Sequence, residues 1–273
     1  MDIKLLALDL DGTVLSSGNT LPRAARYAIE KAVDSGIEVA VASGRPFSSM
    51  PEEVLRIDGI RWVIASNGAA VYDGGERVRS VTLDAEDILR ILDLTREHDL
   101  IWEAFAEGET CTDKRYYDDP MKYGCSEAYV GYVRGSRGTC TDMRGYIREN
   151  RRRLDSIEFV CTDKALRESL WDLIARETEG VYITSSSANF VEFMNAAATK
   201  ANAVAWLSER LGIARKNIAA AGNADNDVDM LRFAGLGAAV RNATPACLDA
   251  ADLIVAGNDE GGVCELVDRI ILP

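Results

Sequence analysis

Four apolar residues, Leu5 to Leu8, form a short run that ends in Asp9, Leu10, Asp11 and Gly12. A continuous apolar run bounded by turn residues predicts a strand buried on both faces, here over 3–9. In 22–34, Ala24, Ala25, Ala28, Ile29, Ala32 and Val33 recur at helical spacing. They predict a helix with Pro22 in its first turn and Ser35-Gly36 as its stop. Residues 37–42 predict a second strand, ended by Ser43-Gly44-Arg45-Pro46, then a helix over 47–56 and a strand over 61–65. The tail repeats this alternation. A helix is predicted over 200–211, a strand over 217–221 and a helix over 226–234. Strand-like pieces follow at 236–240 and 252–255, and a helix at 261–270. Apolar strands alternating with helices predict a parallel sheet with helices on both faces.

The middle of the chain breaks the pattern. Between 83 and 188 the aromatic and cysteine content rises. Strand-like pieces at 101–105, 128–133, 157–162 and 181–184 stand apart, with helical stretches at 84–97 and 164–178. This predicts an α+β domain, 83–188, inserted into a Rossmann-like α/β core made of 1–82 and 189–273. No internal repeat or low-complexity segment interrupts either part.

Composition narrows the function. With 31 basic against 44 acidic residues the net charge is −13, which argues against a nucleic-acid-binding face and disfavours an anionic membrane surface. A small anionic substrate is compatible only if a local cation offsets the global charge. The first apolar segment lacks the basic start and cleavage site of a signal peptide. No apolar stretch approaches the ~20 residues of a membrane helix. The six cysteines, at 111, 125, 140, 161, 247 and 264, make no CxxC pair, so neither a zinc site nor a disulfide framework is indicated. The expectation is a cytoplasmic protein with reduced thiols.

In an open parallel sheet, ligands bind beyond the carboxyl ends of the strands. Asp9 and Asp11 lie at the end of the first strand, Ser43 at the end of the second, and Asn223, Asn226 and Asp227 after the strand at 217–221. Carboxylates and carboxamides gathered at one rim repel and lose hydration unless a cation joins them. Hard oxygens in small number suit Mg²⁺ together with a substrate phosphate. No GxGxxG follows a predicted strand, which disfavours hydride transfer.

Four stretches carry a resemblance: DLDGTVL at 9–15, VASGR at 41–45, Lys200, and GNADND at 222–227. In this order they resemble the motifs of the haloacid dehalogenase superfamily, in the Cof-like, sugar-phosphatase-like branch with a large α+β (type IIB) cap. SNGA at 66–69, EFMN ahead of Lys200, VRNATP at 240–245 and NDEGGV at 258–263 agree. The resemblance implies a Mg²⁺-dependent phosphatase acting on small phosphate monoesters, sugar phosphates foremost, with the cap reading the leaving group. Asp9 is then the nucleophile that becomes an aspartyl-phosphate. Asp11 protonates the leaving alcohol and later activates water, and its backbone carbonyl is a metal ligand. Lys200 clamps nucleophile and phosphate. Leu10, Gly12, Ser43, Gly44, Arg45 and Asn226 make up the substrate-binding set, and Asp9, Asp11, Asn223 and Asp227 the metal set. Asn223 stands where the family usually places an aspartate, which implies weaker metal affinity rather than lost activity. The expected partner is a small phosphorylated metabolite, with no nucleic acid or membrane; a monomer is the default and a homodimer stays open.

Each residue also has a plainer reading. Asp11-Gly12 and Thr13 are ordinary turn residues when taken alone, and Ser43-Gly44 is a common strand-to-helix junction. Most lysines are solvated, and Arg45 could simply pair with a surface acid. The aromatic residues of the insert, Trp102, Phe105, Tyr116, Tyr117, Tyr123, Tyr129, Tyr132 and Trp171, read mainly as its own core. Two other functions share the motifs: a sugar phosphomutase with the same nucleophile, and a phosphate-binding protein with little turnover.

Overall fold

The structure is a computed structural model that describes residues 2–185 and 188–271. Along the chain the first elements are β1 (Leu5–Asp9), α1 (Arg23–Asp34), β2 (Glu38–Ala42), α2 (Glu52–Leu55), β3 (Trp62–Ala65), β4 (Ala70–Asp73) and β5 (Glu76–Ser80). The middle holds α3 (Ala85–Leu94), β6 (Ile101–Ala106), β7 (Glu109–Asp113), α4 (Lys114–Asp118), α5 (Glu127–Ser136) and β8 (Gly138–Cys140). It continues with α6 (Met143–Asn150), β9 (Leu154–Val160), α7 (Lys164–Glu177), β10 (Val181–Thr184) and β11 (Phe190–Asn195). The chain ends with α8 (Lys200–Leu211), β12 (Ile218–Gly222), α9 (Val228–Phe233), β13 (Leu236–Val240), α10 (Pro245–Ala250), β14 (Leu253–Val255) and α11 (Gly262–Ile271).

Two compact units result. The first comprises 1–45, 50–79 and 199–273, the second 46–49 and 80–198. In the first, eight strands run in the order β14-β13-β12-β1-β2-β3-β4-β5. The six from β14 to β3 are parallel; β4 turns back antiparallel on β3. Every residue of β1, β3 and β12 is buried, as apolar strands covered on both faces must be. From β1 the chain proceeds to β2 on one side, and from β12 to β13 on the other. Such a reversal of order opens a crevice at the carboxyl ends of the strands, where Asp9 and Gly222 end β1 and β12.

The second unit is a six-stranded sheet, order β10-β11-β9-β6-β7-β8. One face packs Trp102, Ala104, Ile157, Phe159, Val191 and Phe193 into a core shared with Leu92, Ile147 and Ile174. The boundary falls later than 188 because 190–195 is β11, paired between β9 and β10; the unit runs on to Ala198. Pro46–Ser49 also belongs to it.

Two local expectations fail for physical reasons, and one hairpin was not anticipated. The helix expected over 47–56 is broken: Pro51 cannot continue a helix through its own amide, so a 3-10 turn at Phe47–Ser49 is followed by a separate α-helix, Glu52–Leu55, with Pro51 as its N-cap. The hairpin β4–β5 turns at Gly74-Gly75, both at positive φ, on a DGG signal that alternation alone does not show. The strand expected over 128–133 is helix α5. Its valines and tyrosines favour strands, but Val133 sinks into a cluster with Tyr116, Ile101 and Val160, and Arg134 ties the helix to the carbonyls of Tyr117 and Asp118. Tertiary packing overrides β propensity here. Of the aromatic residues, Trp102 and Tyr116 are core while Tyr129 is exposed. Among the described residues, no helix is long and apolar enough to cross a membrane.

The other face of the second sheet carries a row of glutamates next to the apolar cluster of Ile101 and Val160. Glu103 and Glu192 each pair in register with Glu158, on β6, β11 and β9, and Glu103 and Glu158 are buried. Arg137 Nε donates to Glu103 at 3.1 Å, and its guanidinium lies 4.8 Å from the Tyr132 ring. One guanidinium cannot neutralise this row. Burial, then the Glu103 and Glu192 charges, push the Glu158 carboxyl well above the usual carboxylate range, with Arg137 opposing. The folded protein therefore keeps a proton that the unfolded chain releases, so stability falls as pH rises above the ordinary glutamate range. Glu158→Gln is expected to fold and to melt higher than the parent, by a margin that grows from pH 5 to pH 8; melting curves across that range check it.

Candidate active site

The site lies within the first unit, at the carboxyl ends of β1, β2 and β12. Its centre is one ammonium and two carboxylates. Lys200 Nζ donates to Asp9 Oδ1 and to Asp227 Oδ1, each at 2.7 Å, and all three residues are buried. Lys200 is the first residue of α8, whose N-cap Thr199 accepts the N–H of Asn202. The helix start thus fixes the lysine beneath the strand ends.

The charges do not balance. Two carboxylates share one ammonium, leaving a net negative charge where water cannot screen it. Burial, then the Asp227 charge, push the Asp9 carboxyl up to about 7, against the pull of Lys200 and Thr13. Burial also disfavours a charged Lys200, but Asp227 and Asp9 outweigh it and raise the ammonium above the usual lysine range. The ammonium stays charged; the carboxylate of Asp9 is the group short of a cation.

After Asp9 the chain makes one irregular turn through Leu10–Val14, in which Gly12 adopts φ 77°. A Cβ on Gly12 would lie 2.5 Å from the Asn223 amide, so only glycine lets the two loops meet. One side-chain amide atom of Asn223 lies 2.9 Å from the Asp11 carbonyl oxygen, 3.0 Å from Asp9 Oδ2 and 3.2 Å from Thr13 Oγ1. Hydrogen bonding alone turns the amide nitrogen toward these acceptors. Turned the other way, its oxygen joins Asp9 Oδ2 and the Asp11 carbonyl in a three-oxygen set of the kind Mg²⁺ takes, with water and phosphate completing the shell. The residues fit that ion. Among the described residues no three Asp, Glu, His or Cys side chains form a ready-made cage, because the set is one carboxylate, one carbonyl and one carboxamide.

Asp227, expected among the metal residues, is placed otherwise. Its Oδ1 accepts from Lys200 and its Oδ2 from the N–H groups of Asn223 and Ala224, at 3.0 and 3.1 Å. Both oxygens hold the loop and the lysine. Asn226 Nδ2 donates to Asn67 Oδ1 at 2.8 Å, and the Asn67 N–H donates to the Ser43 carbonyl. Asn226 thus reaches the Ser43-Gly44 loop through Asn67. The Ser43 hydroxyl accepts the N–H of Arg45 at 3.1 Å. The Arg45 side chain pairs with Asp11, the acid-pairing alternative for this residue, though the acid belongs to the site. Leu10 is buried and presents no polar side chain.

Sequence reasoning passed over three residues. Asn67 was visible only as part of SNGA. Gly68, at φ 100°, lies so close to the Thr199 carbonyl that a Cβ would be 2.3 Å away; it lets the 66–68 loop touch the start of α8. Asn19, bonded to Arg45, carried no signal.

The model of a family described as haloacid dehalogenase-like hydrolase matches residues 6–267. The chain is 27% identical over 281 residues to the 5-amino-6-(5-phospho-D-ribitylamino)uracil phosphatase YcsE of Bacillus subtilis, covering 100% of this chain and 97% of that one. It is 26% identical over 287 residues to the phosphatase YwpJ of Bacillus subtilis, covering 98% and 100%. Its fold matches that of the subclass IIB sugar phosphatase BT4131 with a TM-score of 0.81 at 19% identity, over 98% of this chain and 100% of that one.

If Lys200 serves two buried anions, removing it leaves both uncompensated. Lys200→Met is expected to lower stability by about 3 kcal/mol, and adding Asp227→Asn to recover part of that loss. Urea unfolding of the parent, the single and the double variant checks it.

Proposed function

The chain belongs to the haloacid dehalogenase-like hydrolase family, and from that premise we propose that it is a Mg²⁺-dependent phosphatase of small alkyl phosphate monoesters, with Asp9 as its nucleophile. The observation that carries this reading is the buried Asp9–Lys200–Asp227 triad beside the Asn223 carboxamide, which converges with Asp9 Oδ2 and the Asp11 carbonyl oxygen. A phosphate dianion repels a carboxylate nucleophile by roughly 4 kcal/mol at ~4 Å and an effective dielectric of ~20. Lys200 and a bound cation offset that cost.

Asp9 Oδ2, the Asp11 carbonyl and Asn223 would hold the ion. Bound there, Mg²⁺ supplies positive charge to the phosphoryl oxygens and lets Asp9 ionise. The chain's own groups do the rest. Asp9 attacks phosphorus, forming an aspartyl-phosphate as the ester oxygen leaves. The Ser43 hydroxyl and the Gly44 amide hold phosphoryl oxygens. Asp11 gives the leaving oxygen its proton, then takes a proton from the water that attacks phosphorus and frees Asp9. Lys200 stays charged throughout and balances the transferring group.

The alkyl ester class is supported by chemistry shared between two relatives. One is named for a phosphoribityl compound and the other is a sugar phosphatase; in both, phosphate sits on a polyhydroxylated carbon chain. A poor alkoxide leaving group of that kind needs a general acid, the role proposed for Asp11.

Acid quench during turnover of a labelled sugar phosphate is expected to trap label on Asp9. Asp9→Asn is expected to lose both the label and more than ~1,000-fold in kcat. Isomerised sugar phosphate without free phosphate would assign a mutase instead. Asn223→Asp restores a charged oxygen to the three-oxygen set; half-saturation by Mg²⁺ is expected to move to lower concentration, read by titration of activity and of melting temperature.

A further inference from the structure

The Asp11 carboxylate is gripped by a fork. Arg45 Nε donates to its Oδ2 at 2.9 Å and Nη2 to its Oδ1 at 2.5 Å. The same Nη2 donates to Asn19 Oδ1 at 2.6 Å. The arginine side chain is 15% exposed and the aspartate 50%, so the cation is the better-anchored partner. Its support comes from a turn: Asn19 holds φ 57°, a region Asn tolerates better than most residues. The Asn19 N–H donates to the Ser16 carbonyl, and the Ser16 N–H donates to the Thr20 carbonyl. Ser17 pins the turn by donating its N–H and its hydroxyl to Asp259.

We propose that Arg45 is a positioning residue for Asp11, and that Asn19 sets the pose of its guanidinium. This rests on the reading of Asp11 as general acid and base. Asp11 sits past the end of β1, just before a glycine at positive φ, on a half-exposed surface; left alone, its side chain has several rotamers. A bidentate fork fixes both the position and the plane of a carboxylate. Asp11 enters the first step carrying a proton taken from solvent, which frees one of its oxygens from the fork while the other stays held. When the bond from phosphorus to the ester oxygen breaks, that oxygen takes the proton of Asp11. The ionised carboxylate left behind is the form the fork holds with two charge-assisted bonds. It is also the form that next accepts a proton from water, as the new oxygen–phosphorus bond replaces the one to Asp9.

The test compares kcat/KM for a sugar phosphate and for p-nitrophenyl phosphate in the full-length protein with Mg²⁺. This ratio reads only the steps up to departure of the leaving group. p-Nitrophenolate leaves without a proton, whereas an alkoxide does not. Arg45→Ala is expected to lose on the order of 100-fold on the sugar phosphate and far less on the aryl ester. Asn19→Ala is expected to lose less, with the same split. Arg45→Lys is expected to recover only part, because an ammonium cannot fork. In the cycle with Asp11→Asn, the Arg45→Ala change should add little to the loss on the sugar phosphate. An equal loss on both esters through a raised KM would make Arg45 a phosphate ligand and overturn the proposal. Fully additive losses in the cycle would overturn it too. If Asp11→Asn itself shows no split between the esters, the acid–base reading of Asp11 has failed, and the positioning role falls with it.

Discussion

One ammonium held between two buried carboxylates is the constraint around which the first unit is arranged. Buried charges persist only where partners meet them, so each member of the triad is delivered by a different element. Asp9 ends the central strand β1, Lys200 starts α8, and Asp227 closes the loop after β12 by accepting two backbone N–H groups. Because the sum is one charge short, the site is stable yet still attractive to a cation. Burial, and after it the Asp227 charge, holds the carboxyl of Asp9 high.

Around the triad, polar loops interlock through short-range contacts. Asn67 links Asn226 to the backbone of Ser43, Thr13 reaches Asn223, and Asn242 donates to the Gly12 carbonyl. Two glycines permit close approaches, Gly12 under Asn223 and Gly68 against Thr199. The loops that would touch a ligand are thus braced by one another as well as by the sheet, which keeps donors in place without reorganisation.

How much of this was legible in the chain depends on where the information lies. The bounds of α8 and β13 follow from the sequence because periodicity and end signals agree there. The gathering of Asp9, Ser43 and the 222–227 loop at one rim follows from parallel-sheet topology, in which every strand end points the same way; Lys200, at a helix start, was legible only through the family resemblance. Other features were hidden because they depend on partners distant in sequence. Helix α5 is strand-like in composition and is held helical by packing. Strand β11 gains its place only by pairing between β9 and β10. The double engagement of Asp227, the Arg45–Asp11–Asn19 chain and the row of glutamates on the second sheet are products of register and loop approach, which residue types and spacing do not encode.

The seam at which the inserted segment rejoins the core bears on how such a chain can diversify. Asn195 closes a tight turn by accepting from the N–H groups of Ala197 and Ala198; Thr199 then caps α8, and the very next residue is Lys200. Gly68 presses its backbone against that same threonine. The interior of the insert is free to drift, lengthen or be replaced, as long as the last few residues before re-entry keep their register. Modularity here is asymmetric: the exit at 79–80 lies at an edge strand, whereas the return is soldered to the buried triad through Lys200, so inheritance of a new insert would have to preserve one joint far more strictly than the other.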